Sequence, residues 1–327
     1  MFDKVEGKGG LGSIFTLLRG LCELADDSST YYNFVLELEK RLLVSGGGLR
    51  SVGSLRVSEF TSLVGEDVSL KEFYTFSVMV LLLSDGIPPA KMVSTAKMYG
   101  VAIGAWSPEL KIIERMAYGR RFAFRLSFYA RWHGNEGIVD EINNRGWLGF
   151  GRSVLSWIGL REEPAQSARF LRLETSAPDT LGYALYRFYR DNGFAFPGEA
   201  KGFPESGIYH DLCHILSGNG VDYPGELGVM GFKMGFMRKN PLMPLLFALL
   251  EYGAGVHVAP TSVVSPATRL FRDRDCAAQF LTSIDVGSQV GEDLTAAWDF
   301  WPSLERTVEE VRRALSIVSL DTLNSVS

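Results

Sequence analysis

The chain has 327 residues, 46% of them hydrophobic and 22% charged, with a formal net charge of −5. That is enough for one large or two ordinary domains with a substantial core. The acidic balance excludes nucleic acid as a main partner, because phosphate binding needs a basic face, and no apolar run reaches the length of about 18 residues that a transmembrane helix needs.

Periodicity and punctuation read as helical throughout. Gly9-Gly10 precede an apolar-periodic run from Leu11 to Leu24, which Asp26-Asp27-Ser28-Ser29-Thr30 ends. The next run, Tyr31 to Val44, has apolar residues at Phe34, Leu36, Leu38, Leu42 and Leu43, and Gly46-Gly47-Gly48 stops it. Phe73 to Leu83 and Pro241 to Leu250 are the longest apolar stretches, and at that length they read as buried helices. A helix pair flanks Asp85-Gly86-Ile87-Pro88-Pro89, and Ser107-Pro108-Glu109 is a helix start, with a capping hydroxyl ahead of a first-turn proline. Trp147 to Leu160 carries a broad apolar face edged by Arg152 and Arg161, suited to packing between two halves or to lying on a membrane surface. Arg161-Glu162-Glu163-Pro164-Ala165-Gln166-Ser167 is polar and proline-interrupted, so it reads as a linker between an N-terminal helical region of unknown role, 1–165, and a second region, 166–327. Strict period-two alternation is scarce. The expected fold class is therefore mainly α, a helical bundle preceded by an additional N-terminal helical region.

The chemistry concentrates in one place. Of four histidines, two stand in His210-Asp211-Leu212-Cys213-His214, and Glu226 follows after eleven residues. Residues four apart on a helix share a face, so His210 and His214 aim two imidazoles at one point, with Asp211 on the adjoining edge. Gly218-Asn219-Gly220 breaks the helix and puts Glu226 on a second one folding back beside the first, with spans of about 205–217 and 224–238. Neutral imidazoles and carboxylates suit zinc, iron, manganese or cobalt. Four ligands, His210, Asp211, His214 and Glu226, would close a zinc site. If Asp211 instead orients a ligand imidazole, two histidines and one glutamate leave a position open for water or substrate. Only His133 and His257 remain elsewhere, too few for a His-Asp phosphohydrolase that gathers ligands from widely separated helices.

On the second helix Gly228, Gly231 and Gly235 form a stripe that another helix or a lipid tail can approach closely, and Met230, Met234 and Met237 form a deformable one. Lys233, two turns beyond Glu226, suits a substrate carboxylate, and Tyr209 adjoins the motif. Tyr209, Met230, Lys233 and Met234 are the substrate-binding candidates. No general acid or base emerges.

His-Asp-x-x-His, eleven residues, then Glu resembles the signature of the ubiquinone (coenzyme Q) biosynthesis proteins of the Coq-four type. Asp179-Thr180-Leu181-Gly182, opening a helix that ends at Asn192-Gly193, resembles that family's Thr-Leu-Gly segment. Ser217-Gly218 and Gly225-Glu226 resemble its glycine turn and second helix. Trp298-Asp299-Phe300-Trp301-Pro302 and Val308-Glu309-Glu310-Val311-Arg312-Arg313 resemble the tail of bacterial members, so the likeness runs over roughly 170–318. The resemblance implies a metal-dependent decarboxylase and hydroxylase that replaces the ring carboxylate of a polyprenylated hydroxybenzoate-type intermediate with hydroxyl. It implies a divalent metal, zinc or iron, on His210, Asp211, His214 and Glu226. Other quinone biosynthesis enzymes are the implied protein partners. Three isolated cysteines and no signal-peptide pattern fit a cytoplasmic protein, here at the periphery of the inner membrane. A different reading is a scaffold that binds a lipid intermediate, organises a biosynthetic complex and uses the metal to hold its fold. Two positions depart from the family: Cys213, where members often carry a large aromatic, and Asn219, where an aromatic commonly follows the glycine.

Overall fold

The computed structural model describes residues 2–6, 8–25, 28–42, 55–131, 146, 147, 149, 151, 152, 155, 162–258, 269–295, 298–318 and 320. In chain order the helices are α1 (Leu11–Cys22), α2 (Ser29–Leu42), α3 (Val57–Val64), α4 (Val68–Leu82), α5 (Ala90–Ala102), α6 (Pro108–Ala117), α7 (Arg121–Tyr129), α8 (Pro164–Leu171), α9 (Leu181–Asp191), α10 (Ile208–Ser217), α11 (Tyr223–Phe236), α12 (Leu242–Ala248), α13 (Arg274–Ser288) and α14 (Val308–Ala314). Among the described residues there is no β-strand, only an isolated antiparallel bridge between Thr180 and Thr307. The expected mainly α class is what the chain adopts, and no described helix is long and apolar enough to cross a membrane. The predicted stops at Asp26-Asp27 and Gly46–Gly48, most of the Trp147–Leu160 face, and His133 lie outside the described residues.

The chain divides into two units, Met1–Trp132 with Leu242–Asp285, and His133–Pro241 with Val286–Ser327. This differs from a single cut at residue 165, because the chain returns to the first unit for α12 and most of α13. The reason is burial. In α4 every side chain from Phe73 to Leu82 is buried, so over this stretch the helix has no solvent face and needs neighbours all round. One is the apolar α12. Another is α13, whose Phe280 stacks on Phe76 at 6.3 Å. The α4 N-terminus is capped by Asp67, which accepts from the Leu70 N–H at 3.1 Å. Ser107 does the same for α6, accepting from Leu110 at 3.3 Å, as its sequence predicts. Phe73–Leu83 and the Pro241–Leu250 stretch are buried helix, the latter ending in a π turn at Leu249–Gly253.

In the second unit, Glu162 to Ser167 of the expected linker are structured. Pro164 opens α8 in its first turn, and the Glu163 N–H donates to the Gly198 carbonyl at 2.7 Å. Gly198 has φ +91°, and a Cβ there would stand 2.7 Å from the Glu163 carbonyl and the Ser167 amide, so this crossing requires glycine. The helices α9 and α14 start side by side. The Leu181 N–H donates to the Arg306 carbonyl at 2.8 Å and the Val308 N–H to Asp179 at 3.1 Å. Thr180 caps α9 through the Tyr183 N–H, and Thr307 with Glu310 forms a reciprocal capping box on α14. Beneath them lies a core that includes Leu181, Leu185, Phe196, Leu212, Phe232 and Val311.

Candidate metal centre

The ligand helix α10 starts after the 3-10 turn Glu205–Gly207 and stops at Gly218, whose φ of 78° is left-handed and favours glycine. Its last carbonyls are not left bare. Arg312 of α14 donates from Nε to the Leu216 carbonyl at 3.0 Å and from Nη2 to Ile215 at 2.9 Å, which places a cation on the negative end of the helix. After a short turn α11 is capped by Asp222, which accepts from the Gly225 N–H at 2.9 Å. A Cβ on Gly225 would stand 2.0 Å from the Gly220 carbonyl, so only glycine lets the turn fold this tightly.

This turn brings Glu226 onto the two histidines. His210 Nε2 lies 3.2 Å from Glu226 Oε2 and 3.1 Å from His214 Nε2, and His214 Nε2 lies 3.5 Å from Glu226 Oε1. The three donor atoms all fall within 4.8 Å of one another. Ligands at about 2.0–2.1 Å from one ion stand about 3.3 Å apart at the tetrahedral angle and about 2.9 Å at a right angle. The 3.1 and 3.2 Å separations at His210 fall in that range, and the 3.5 Å from His214 to the other Glu226 oxygen lies just above it. His214 Nδ1 donates to the carbonyls of Gly220 at 2.9 Å and Asn219 at 3.2 Å. Nδ1 therefore carries the proton, and the Nε2 lone pair faces the cluster, the arrangement that second-layer contacts give a metal-binding imidazole.

Burial and mutual charge perturb the three groups in different directions. Burial lowers the His210 pKa and outweighs Glu226, keeping that imidazole neutral. At His214 burial works the same way, but hydrogen bonding and charge from Glu226 prevail and raise it. Burial would raise the Glu226 carboxyl; the two imidazoles outweigh it and hold it well below the usual carboxylate range.

Asp211, expected as a fourth ligand, stands outside this group. Its carboxylate accepts a hydrogen bond from the Tyr189 hydroxyl, and no ligand imidazole bonds to it. One residue along the helix turns the side chain by about 100°, which aims Asp211 at α9. Tyr189 is the site residue that the motif did not reveal. Its ring stacks on Phe196 at 4.1 Å, and burial followed by the Asp211 charge pushes its hydroxyl pKa up, so it stays a donor. Phe188, one residue before, lies 5.4 Å from the His214 ring. The aromatic run Tyr186–Tyr189 was the only sequence signal for this support.

Of the substrate-binding candidates, Tyr209 stands edge-on to Phe300 at 5.3 Å, within the core packing. Met230 and Met234 are buried. Lys233 is only 8% exposed, and burial lowers its pKa. Among the described residues no carboxylate lies within ion-pair distance of it; Asp211, Glu226 and Asp293 act on it from further away. Buried lysines are ordinarily paired. The glycine stripe is filled by protein. A Cβ on Gly228 would stand 2.0 Å from Asn219 Oδ1, and one on Gly235 would stand 2.5 Å from the Gly287 carbonyl carbon on α13. Cys213 is buried in the core, its thiol pushed up to about 12 by burial, and is no ligand. His257 is exposed and outside any helix. No family model matches the chain, and neither a curated protein nor a solved structure matches it significantly.

Proposed function

We propose that this protein is a metal-dependent enzyme of quinone biosynthesis that replaces the ring carboxylate of a polyprenylated hydroxybenzoate-type intermediate with hydroxyl. The observation that carries the reading is the convergence of His210 Nε2, His214 Nε2 and the Glu226 carboxylate at ligand spacing, with His214 fixed in the metal-binding tautomer. Three protein ligands, not four, leave room for substrate on a zinc or iron ion. Bound there, such an ion would supply Lewis acidity toward the carboxylate or phenolate and, as iron, a route for dioxygen. The overall change is ArCOOH + H2O + O2 → ArOH + CO2 + H2O2: the substrate loses two electrons to dioxygen, the carboxyl carbon leaves as carbon dioxide, and water supplies the hydroxyl.

The chain's own residues orient the reactants. Lys233 lies two turns from Glu226 on the same arc of α11, and its buried amine, with no carboxylate within ion-pair distance among the described residues, suits the substrate carboxylate. Met230, one turn from Glu226, offers an adaptable apolar contact to the prenyl chain. Asp211 is held by the Tyr189 hydroxyl beside the imidazoles, and burial pushes its carboxyl up.

The test is elemental mass spectrometry on the purified chain beside His214→Ala and Glu226→Gln. About one zinc or iron per chain is expected, lost in both variants with helicity retained. Turnover of a prenylated hydroxybenzoate under air should then release carbon dioxide, and Lys233→Met should lose turnover while keeping the metal. No metal after reconstitution refutes the reading. Metal without turnover, with co-purifying biosynthetic enzymes lost on Glu226→Gln, favours the scaffold.

A further inference from the structure

The short helix α7 and its flanks read Tyr118-Gly119-Arg120-Arg121-Phe122-Ala123-Phe124-Arg125-Leu126-Ser127-Phe128-Tyr129-Ala130-Arg131, with four arginines and no acidic residue in a chain whose net charge is −5. Its inner face is ordinary core: Phe124 and Phe128 are buried, their rings stacked at 6.4 Å. The outer face is not. Phe122 is 81% exposed and Leu126 62%, one turn apart on one stripe. Arg121 and Arg125, also one turn apart, run beside that stripe, exposed. Among the described residues the side chains of Arg121, Arg125 and Arg131 form no ion pair or hydrogen bond. The helix is held rigidly: the Arg115 guanidinium donates to Ser127, and the Tyr129 hydroxyl donates to the Val258 carbonyl at 2.7 Å.

We infer that α7 docks the protein on an anionic lipid surface, with the Arg121 and Arg125 guanidinium groups at the phosphate level and Phe122 and Leu126 in the acyl boundary. Large exposed apolar side chains bordered by unpaired arginines are the pattern of an interfacial helix. Charge complementarity selects the occupant, because three arginines without counterions call for a partner rich in phosphate. Two apolar side chains do not supply the roughly 800 Å² per partner of a stable protein interface, which argues against a second copy. On a chain of net charge −5, a cationic strip also biases orientation toward an anionic surface. The inference stands apart from the metal reading and uses no residue of the metal cluster.

The experiment is flotation of the full-length chain with vesicles of phosphatidylcholine alone and with about one third phosphatidylglycerol. Wild type should float with the anionic vesicles only, and less as salt rises. Each arginine at an anionic surface contributes roughly fivefold, so R121Q/R125Q should lower the partition coefficient about thirtyfold. F122S/L126S should abolish flotation, and because both positions are solvent-exposed its melting curve should match wild type. A wild-type chain that stays off anionic vesicles, or floats equally with neutral ones, overturns the inference. Variants that float like wild type also overturn it. So does a wild-type oligomer in light scattering that F122S/L126S dissociates, which would give the face to a second copy.

Discussion

Gly228→Ala tests the packing that orients His214. The added methyl would stand 2.0 Å from Asn219 Oδ1 and 2.7 Å from its Cγ. Asn219 cannot simply swing away: it is 4% exposed, and its Nδ2 donates to Ser217 Oγ at 2.8 Å. Overpacking at such a site costs about 1–3 kcal/mol. Losing the Asn219–Ser217 bond adds about 1 kcal/mol, and alanine returns about 1 kcal/mol as a better helix former than glycine. The net loss is about 1–3 kcal/mol, or about 2–4 °C of melting temperature per kcal/mol for a unit of this size. The Asn219 backbone carbonyl accepts from His214 Nδ1, so displacing this residue should also weaken metal binding about 10–100-fold. Thermal melting of the metal-free chain reads the first effect, and chelator competition reads the second. Asn219→Ala removes the obstacle, so the double variant should melt above Gly228→Ala, a positive coupling in a double-mutant cycle. A Gly228→Ala chain as stable as wild type with unchanged metal affinity, or no relief in the double variant, refutes this account.

Asp211→Asn should keep the metal, measured by elemental analysis, because its carboxylate faces Tyr189 and not the cluster; loss of the metal would restore a four-ligand set. Tyr189→Phe removes the donor to that carboxylate and should cost about 1–3 kcal/mol in a urea melt without changing metal stoichiometry. Arg312→Met strips two charge-assisted hydrogen bonds from the end of α10, and a loss of about 1.5–3 kcal/mol together with weaker metal binding is expected; equal stability would deny the guanidinium its capping role. Cys22 and Cys213 are buried with thiols pushed up to about 12, so a thiol reagent near neutral pH should leave both unmodified in the native chain. Because the folded state holds these protons above the ordinary thiol range of about 8.5, their contribution to stability is complete below that pH and is lost as pH rises toward 12. Melts across the alkaline range should show that decline, flattened in C22S/C213S.

The sequence by itself determined the helical class, because apolar spacing, caps such as Ser107 and breaks such as Gly218 are local signals. It also determined the histidine pair, since i, i+4 spacing on one helix needs no tertiary information. It placed Glu226 correctly, because Gly218–Gly220 and Asp222 spell out a turn and a new helix within a few residues. Only the tertiary structure decided the role of Asp211. Which way a side chain one step around the helix points is a fact about its neighbour, and that neighbour, Tyr189, is 22 residues away. Arg312 is 97 residues from the Ile215 carbonyl it caps, and no local pattern joins them. The compact units divide elsewhere for the same reason: a polar, proline-containing stretch reads as a linker, yet Pro164 begins a helix, and the chain returns at Leu242 to cover the fully buried Phe73–Leu82 stretch of α4. The outward stripe of α7 belongs with these, because Phe122 and Phe124 look alike in sequence and only packing chooses which one meets solvent.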